Sequence, residues 1–349
     1  MKSTHTIDRR KLGSTVKSLM GGKYMKDNVS RFRVLAIAFG CLLAFSISAR
    51  GAEIPVHCEG KGPLSTIQGA LRLLNPLVPN TLIITGVCQE NVVISGFSRL
   101  TLKGKNGATI NDASGGNAIV VDIEHSTDIL LQGFTINGGA IGVFCSLFSV
   151  CQFDGNIIQG ATVAGVQFVQ SRGTFGANTI QNNGNGVLVF EASSVHTFGG
   201  LVIQDNSVDG VNVDYGSSFQ SAGDTIRFNN NNGIALYNHG FLFLRGTTVS
   251  GNSWYGVAVL GHSSADFDGN NIITGNAISG VLVRDLSFAE FRDPSTVTGN
   301  ASGLDVECAP QSPVAIGLTN IGGGATNCPQ AQASQVNRGA QRQLRKPAP

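Results

Sequence analysis

The chain has 349 residues, enough for one large domain or two ordinary ones, with 46 Gly, 10 Pro and 13% charged residues. Abundant Gly and Asn, with no Lys between Lys105 and Lys346, argue against a helical protein and for a β architecture rich in turns; recurring Val, Ile and Phe exclude disorder for the middle of the chain. Residues 1–51 hold ten basic and two acidic groups, which leaves residues 52–349 at −6 and the body, 52–328, at −10, a balance that excludes nucleic acid as a partner and requires a bridging cation for any polyanionic substrate.

In chain order, the first element is a targeting segment. Val34 to Ser48 is a 15-residue apolar run, preceded by Arg31 and Arg33 and followed by Ser48, Ala49, Gly51 and Ala52. It is too short for a comfortable membrane span and has the flanks of a secretory signal, with cleavage after Gly51. An uncleaved anchor is the alternative. Met25, followed by Lys26, gives a signal of normal length and is read as the true start. Residues 1–51 are therefore an N-terminal extension with a signal peptide, and the remainder is secreted, periplasmic or extracellular. Cys41 has no lipoprotein context.

Pro63 to Asn75 (PLSTIQGALRLLN) reads as a short amphipathic helix. Short apolar strands follow at Thr81–Ile84, Asn91–Ile94, Leu100–Leu102 and Ala118–Ile123. A repeat then takes over. Gly142, Gly165, Gly186, Gly210, Gly233, Gly256, Gly280 and Gly303 recur at intervals of 21 to 24 residues, the mark of a repeat architecture. After each comes an apolar-x-apolar triplet, such as Val187-Leu188-Val189, Val257-Ala258-Val259 and Leu304-Asp305-Val306: a short strand with its first and third residues inward.

Three further columns accompany the Gly. Asn182, Asn206, Asn229, Asn252 and Asn276 precede it. Phe153, Phe175, Phe198, Phe219, Phe243, Phe267 and Phe291 follow it. Ile158, Ile180, Ile203, Ile226, Val249, Ile273 and Val297 open each unit. Each unit offers three strands and one inward apolar group from each. No unit has ten residues without a Gly or an Asn pair, so paired helices do not fit. A closed coil of three strands does, with coils about 4.8 Å apart. Stacked Asn amides bond one another at the bend, and stacked Phe rings fill the interior.

Six Cys remain after the signal. Sequence neighbours give the simplest of fifteen connectivities: Cys58–Cys88, Cys145–Cys151 and Cys308–Cys328. A zinc site is the alternative, but CxxC spacing is absent. Residues 329–349 are Gln-rich and weakly basic, and read as a disordered tail.

These columns, with "ENVVISGFSRLTLKGKNGATIND" (Glu90 to Asp112) and the amphipathic segment before it, resemble the right-handed parallel β-helix of the pectin-lyase-like superfamily over roughly residues 53–316. The resemblance implies an all-β fold of about ten three-stranded coils over 52–328, its first coil capped by a short helix. Function does not follow, because lyases, hydrolases, epimerases, adhesins and binding modules share this coil.

The known catalytic patterns are missing. "LGHSS" (Leu260 to Ser264) has a His without the Gly-His-Gly of polygalacturonase-like hydrolases, and no Arg-x-Lys occurs in the coils. "RDPS" (Arg292 to Ser295) has the Asp-Pro but not the His of alginate epimerases. No Gly-x-Ser-x-Gly elbow or phosphate loop is present.

Geometry nominates an outward stripe instead. The fourth residues after Gly are Phe190, Asp214, Tyr237, Leu260, Arg284 and Glu307, and the second include Leu188, Asn212, Ala235, Ala258, Leu282 and Asp305. Just beyond lie Glu191, Tyr215, His239, His262 and Asp285. Phe190, Asn212, Asp214, Tyr237 and His239 are candidate sugar contacts, since rings suit apolar sugar faces and amides suit hydroxyls. His262 beside Asp285, with Arg284 adjacent, is the candidate catalytic group: carboxylate-oriented imidazole, with Arg for an oxyanion. The bland counterpart is a surface His beside a solvated ion pair.

His239 and His262 share an offset and could share a metal, though a third ligand is lacking. Asp266 and Asp268, flanking Phe267, could hold calcium; no other cofactor is implied. Trp254 and Tyr255 sit in a turn able to overhang the stripe. His57, His125 and His196 suggest only surface positions.

Three functions compete: a monomer that binds or acts on polysaccharide, leaning towards binding; a noncatalytic adhesin or spacer; and a metal-handling periplasmic β-helix of the nitrous-oxide-reductase maturation type.

Overall fold

The computed structural model describes residues 52–309 and 314–329. The expected signal peptide and C-terminal tail lie outside these residues. The described chain winds as a right-handed β-helix of three parallel sheets, one of 12 strands and two of 10. Each strand pairs in parallel with its counterpart one coil away, as Ile158 does with Ile180 and Val187 with Val211.

The 12-stranded sheet, first in each coil, is here the Phe sheet. It begins at Ala52–His57 and includes Arg172–Phe175, Ser194–Thr197 and Phe241–Arg245. Next comes the Ile sheet, with strands such as Thr179–Gln181, and then the triplet sheet, with strands such as Asn185–Phe190 and Val257–Val259. The core is the stack of inward residues from all three, including Ile180, Ile203, Val187 and Val189, all fully buried.

The Asn ladder at the corner before the triplet sheet runs through Asn183, Asn206, Asn229, Asn252, Asn276 and Asn300. The Asn183 Oδ1 accepts the Ala161 N–H, and from Asn206 on each Oδ1 accepts the backbone and side-chain N–H groups of the Asn before it, as Asn252 Oδ1 does from Asn229 at 3.0 Å for both. Asn183 holds the position expected of Asn182, whose φ of 55° takes up the left-handed step beside it. The Gly that follows is required by close approach. A Cβ on Gly256 would stand 2.5 Å from the Gly280 carbonyl oxygen of the next coil.

The last coil corrects the Gly count. Val281 pairs with Val306 and Leu282 with Glu307, so the final triplet is Val306-Glu307-Cys308 rather than one beginning after Gly303. Asp305 turns inward and ends the Asn ladder, accepting from Asn300 Nδ2 at 2.9 Å.

The Phe column is also interrupted. Phe153 stacks on Phe175 at 5.0 Å, and Phe267 on Phe291 at 4.5 Å. Between them the same inward position is held by Thr197, Ser221 and Leu244. Phe219 fills a neighbouring inward column, in register with Val195. Phe198 and Phe243 point outward, contrary to the core role expected of them. Strand side chains alternate between faces, so a one-residue error in counting from the Gly reverses the face.

A serine ladder at the corner after the triplet sheet escaped the sequence reading. Ser171 N–H donates to Ser193 Oγ and Ser193 N–H to Ser217 Oγ, at 3.1 and 3.2 Å. Ser149, Ser193, Ser217, Ser263 and Ser287 lie seven residues after their Gly, a signal that would have marked this corner.

At the N-terminal end a 3-10 turn, Pro63–Ser65, precedes a five-residue helix, Ile67–Leu71. The extended backbone of Thr66 divides the helix expected over Pro63–Asn75. Thr66 Oγ1 accepts from Gly69 N–H, and the Glu90 carboxylate accepts the N–H groups of Ile67 and Gln68 at 2.7 and 3.0 Å. Ile67, Ala70 and Leu71 are buried over the first coil. Disulfides join Cys58 to Cys88, Cys145 to Cys151 and Cys308 to Cys328. Among the described residues no helix is long and apolar enough to cross a membrane.

Candidate functional site

The corner between the triplet sheet and the Phe sheet is built unusually. At six such corners the chain turns through two successive residues of positive φ: Leu147-Phe148, Glu191-Ala192, Tyr215-Gly216, Asn238-His239, Gly261-His262 and Asp285-Leu286. Two of these twelve are Gly. Each of the others costs about 1 kcal/mol or more in backbone strain. The turns are held by N–H donation to the next coil, as from His239 to Gly261 O and from Gly216 to Asn238 O, at 2.9 and 3.0 Å. Side chains are thus fixed on a projecting ridge.

Beside the first of these corners lies an open groove of about 810 Å³. Phe148 and Tyr215, 78% and 61% exposed, provide ring surface, and Phe190 meets Tyr215 edge-on at 6.5 Å. Gln170 donates from Nε2 to Glu191 Oε2 at 3.2 Å, and Arg172 completes the wall. Phe190, Glu191 and Tyr215 belong to the expected stripe. Phe148, Gln170 and Arg172 were missed, because the triplet alone gives no guide to the corner beyond it.

The stripe itself is less open than expected. Ala258, Leu260 and Leu282 form a small buried cluster outside the barrel, and Tyr237 and Tyr255 pack on it. Tyr255 therefore lies against the stripe, while Trp254 beside it is 52% exposed. Asp209, buried and absent from the sequence reading, accepts from Asn232 N and Nδ2 at 3.1 and 2.9 Å and from Asn212 Nδ2 at 3.3 Å. Burial raises the Asp209 pKa, against the lowering effect of these bonds. Burial also raises the Tyr237 phenol, helped by Asp209 and Asp214 and opposed by Arg284. Asp214 is tied to the turn, accepting from Tyr215 N–H at 2.7 Å and Asn238 Nδ2 at 2.8 Å.

The candidate catalytic group does not assemble as expected. The Asp285 carboxylate meets Arg284 Nε at 3.1 Å, and both side chains are about half exposed, a pairing worth at most about 1 kcal/mol. The bond between His262 and Asp285 is from the His262 backbone N–H to the Asp285 carbonyl, at 2.9 Å. The His262 ring instead stacks on His239, centroids 5.4 Å apart.

Calcium fares no better at Asp266 and Asp268. Asp266 Oδ2 is held by Arg292 at 2.7 Å, and Asp268 faces Arg245 at 3.8 Å. Among the described residues, the one group of three potential metal ligands within reach of one another is Cys58, Cys88 and Glu90. Its two sulfurs are joined in a disulfide, and its carboxylate caps the helix.

Solved structures sharing this winding include the A-module of mannuronan C-5 epimerase AlgE6 from Azotobacter vinelandii, at TM-score 0.56 and 15% identity, covering 69% of this chain and 74% of that one. ORF18 of Geobacillus virus E2 aligns at TM-score 0.58 and 15% identity, over 74% and 60%. The enzymatically active domain of bacteriophage CBA120 tailspike protein 2 aligns at 0.53 and 12%, over 76% and 47%. At these identities the likeness concerns the fold. No curated protein sequence matches significantly. The family model for the right handed beta helix region matches residues 117–272 and 164–314. That match spans more than half of the chain, which belongs to the right handed beta helix family.

Proposed function

We propose that this is an exported, monomeric protein that binds polysaccharide in the corner groove and along the adjoining stripe, without efficient catalysis. The groove carries the reading. It brings two exposed rings, an amide and a carboxylate on strained but fixed backbone together with a guanidinium at the start of a strand, the mixture suited to sugar faces and hydroxyls. One structural neighbour is named for action on mannuronan, which supports a polysaccharide ligand. Three disulfides support an oxidising compartment. In this reading residues 1–51 carry the signal, 52–328 form the binding domain and 329–349 a tail. The stripe residues Asn212, Asp214 and Tyr237 extend the groove. His239, His262, Arg284 and Asp285 contribute ridge contacts.

The test is a thermal-shift screen of the purified chain against neutral and acidic polysaccharides, with and without calcium, with absorbance of unsaturated uronides read in parallel. The expected result is stabilisation without new absorbance, with affinity reduced about tenfold by Tyr215→Ala, the loss of about 1.4 kcal/mol of ring contact. New absorbance would make the protein a lyase. No shift with any polysaccharide would leave a structural module, and a copper-specific shift abolished by His239→Ala would leave a metal handler.

A further inference from the structure

The charge of the body is divided unevenly along the chain. Residues 52–105, which form the first coils, carry five basic groups, Lys61, Arg72, Arg99, Lys103 and Lys105, and three acidic ones, Glu53, Glu59 and Glu90. Residues 106–328 carry five basic groups and 17 acidic ones. The N-terminal end is thus at +2 and the remainder at −12. All five basic side chains of that end are exposed, whereas the Glu90 carboxylate is taken up by the N–H groups of Ile67 and Gln68.

The same end displays apolar side chains that its core does not use. Leu71 is buried and Leu74 packs against the core, while Leu73 and Leu77 are 62% and 73% exposed and Val78 is open to solvent beside them. The loop that carries them is fixed. Asn75 Oδ1 accepts from Leu77 N–H at 3.1 Å, and Asn80 Nδ2 donates to the carbonyls of Asn75 and Val78 at 2.8 and 2.7 Å. Ser98 N–H donates to the Pro76 carbonyl at 2.9 Å. Arg99 Nη2 reaches the Leu77 carbonyl at 3.4 Å, which sets a cation beside the exposed leucine, and Arg72 adjoins Leu73 in sequence. Exposed apolar groups rimmed by polar ones mark a contact surface.

We infer that this end is a membrane-contacting face, seated on an anionic lipid surface with the later coils standing away from it. It is separate from the groove and does not depend on the polysaccharide reading. Shallow apolar insertion and a few basic residues are each weak alone and hold a protein on a membrane together. Leu73 and Leu77 enter the boundary between headgroups and acyl chains, and Arg72 and Arg99 beside them meet lipid phosphate. Charge sets the orientation. Coils rise about 4.8 Å each, and charges at physiological salt are screened over about 8 Å. With the N-terminal end down, the acidic coils beyond the second lie outside that range. Any sideways approach brings their carboxylates against a surface of like charge. The chain also enters the fold here, through Ala52–His57, with the apolar run Val34 to Ser48 just before it in sequence. The groove, lined by residues from Phe148 to Tyr215, lies coils away and stays open to solvent.

The test places an environment-sensitive fluorophore on the purified chain at Leu77→Cys or, in the last coil, at Ala301→Cys, and titrates each with vesicles of mixed phosphatidylglycerol and phosphatidylcholine or of phosphatidylcholine alone. The expected result is a blue shift at position 77 on the anionic vesicles and none at position 301. Arg72→Glu with Arg99→Glu raises the lipid concentration at half-shift at least tenfold, and Leu73→Ser raises it as well. Unchanged unfolding midpoints establish that the variants are folded. The label reports the N-terminal end itself, whether or not residues 1–51 remain attached. Tyr215→Ala, which empties the groove of its ring, leaves the shift intact, so failure of the groove and failure of the lipid contact are told apart. No shift at position 77, an equal shift at both positions, an equal response to phosphatidylcholine alone, or an unchanged half-shift in the Arg variant overturns the inference. So does a shift that is present without lipid and lost on dilution, which would make the face a contact between copies of the chain.

Discussion

The Ile sheet and the corner after the triplet sheet come from the same repeat and use it in opposite ways. In the Ile sheet every described strand pairs residue for residue with the next, from Val87–Gln89 to Thr296–Val297, without a slip. Its outward amides bond one another in a line: Asn137 to Asn111, Gln159 to Asn137, Gln181 to Gln159 and Gln204 to Gln181, each at 2.9 or 3.0 Å, with Arg227 donating to Gln204 at the end. At the corner, left-handed residues project Phe148, Tyr215 and His239 away from the coil. Where the repeat is obeyed, each polar group finds its partner in the copy beside it. Where it is broken, strain is spent on side chains that the fold itself does not use, and those are the ones available for a ligand.

The strongest way to break the regular side is inside the barrel. Asn229 Oδ1 accepts both the backbone N–H and Nδ2 of Asn206, at 3.2 and 2.9 Å, and all of these groups are buried. Asn229→Ala strands these donors, at about 1–3 kcal/mol for each buried group left unpaired. A loss of about 3 kcal/mol is expected, measured as a lowered urea midpoint with an unchanged m-value. A loss below about 1 kcal/mol would mean that the ladder is decoration rather than structure.

A second test concerns the break in the Phe column. Asp224 is buried, and its carboxylate accepts from the hydroxyls of Thr197 and Ser221 and, at 3.1 Å, from Leu201 N–H. Burial raises its pKa, outweighing the lowering effect of those bonds. The fold therefore favours the protonated form. Its contribution is fully present below the ordinary carboxylate pKa of about 3.9 and is lost as pH rises through the raised value. Asn178 and Asn271 hold the equivalent corner position in nearby coils and accept backbone N–H groups at 3.0 and 3.1 Å. Asp224→Asn should therefore raise the unfolding midpoint at neutral pH, and the gain should shrink as pH falls to about 4. A variant less stable than the parent at pH 7 would show that the ionised carboxylate is well compensated by its hydroxyl partners.

The fold was legible because its signals are repeated many times. Eight Gly positions at nearly one spacing, with Ile and Asn in step, outweigh local errors such as Asn182 for Asn183. The candidate site was harder to read because each of its residues occurs once. The face on which Phe198 or Phe243 lies depends on a single-residue count in strands that vary in length, and Thr197 and Ser221 show that a polar residue can hold an inward place. Arg172 and Glu191 line one groove through the path of the corner, which the Ser seven residues after five of the eight Gly positions would have marked. His262 and Asp285 were correctly placed on neighbouring coils. The register that brings their backbones together also leaves the imidazole on His239 and the carboxylate on Arg284.

The smallest expected effect is on the outer ladder, and it sharpens the comparison most. Gln181 donates to Gln159 and accepts from Gln204, both at 3.0 Å, the same arrangement as at Asn229 but on the solvent side. Gln181→Ala removes two bonds whose partners can turn to water, so the net loss is that of a surface substitution, within about 0.5 kcal/mol. Measured beside Asn229→Ala under the same conditions, it separates two ladders of like geometry by burial alone. Comparable losses from both would show that the regular alignment of amides, rather than desolvation of stranded donors, holds successive coils in register.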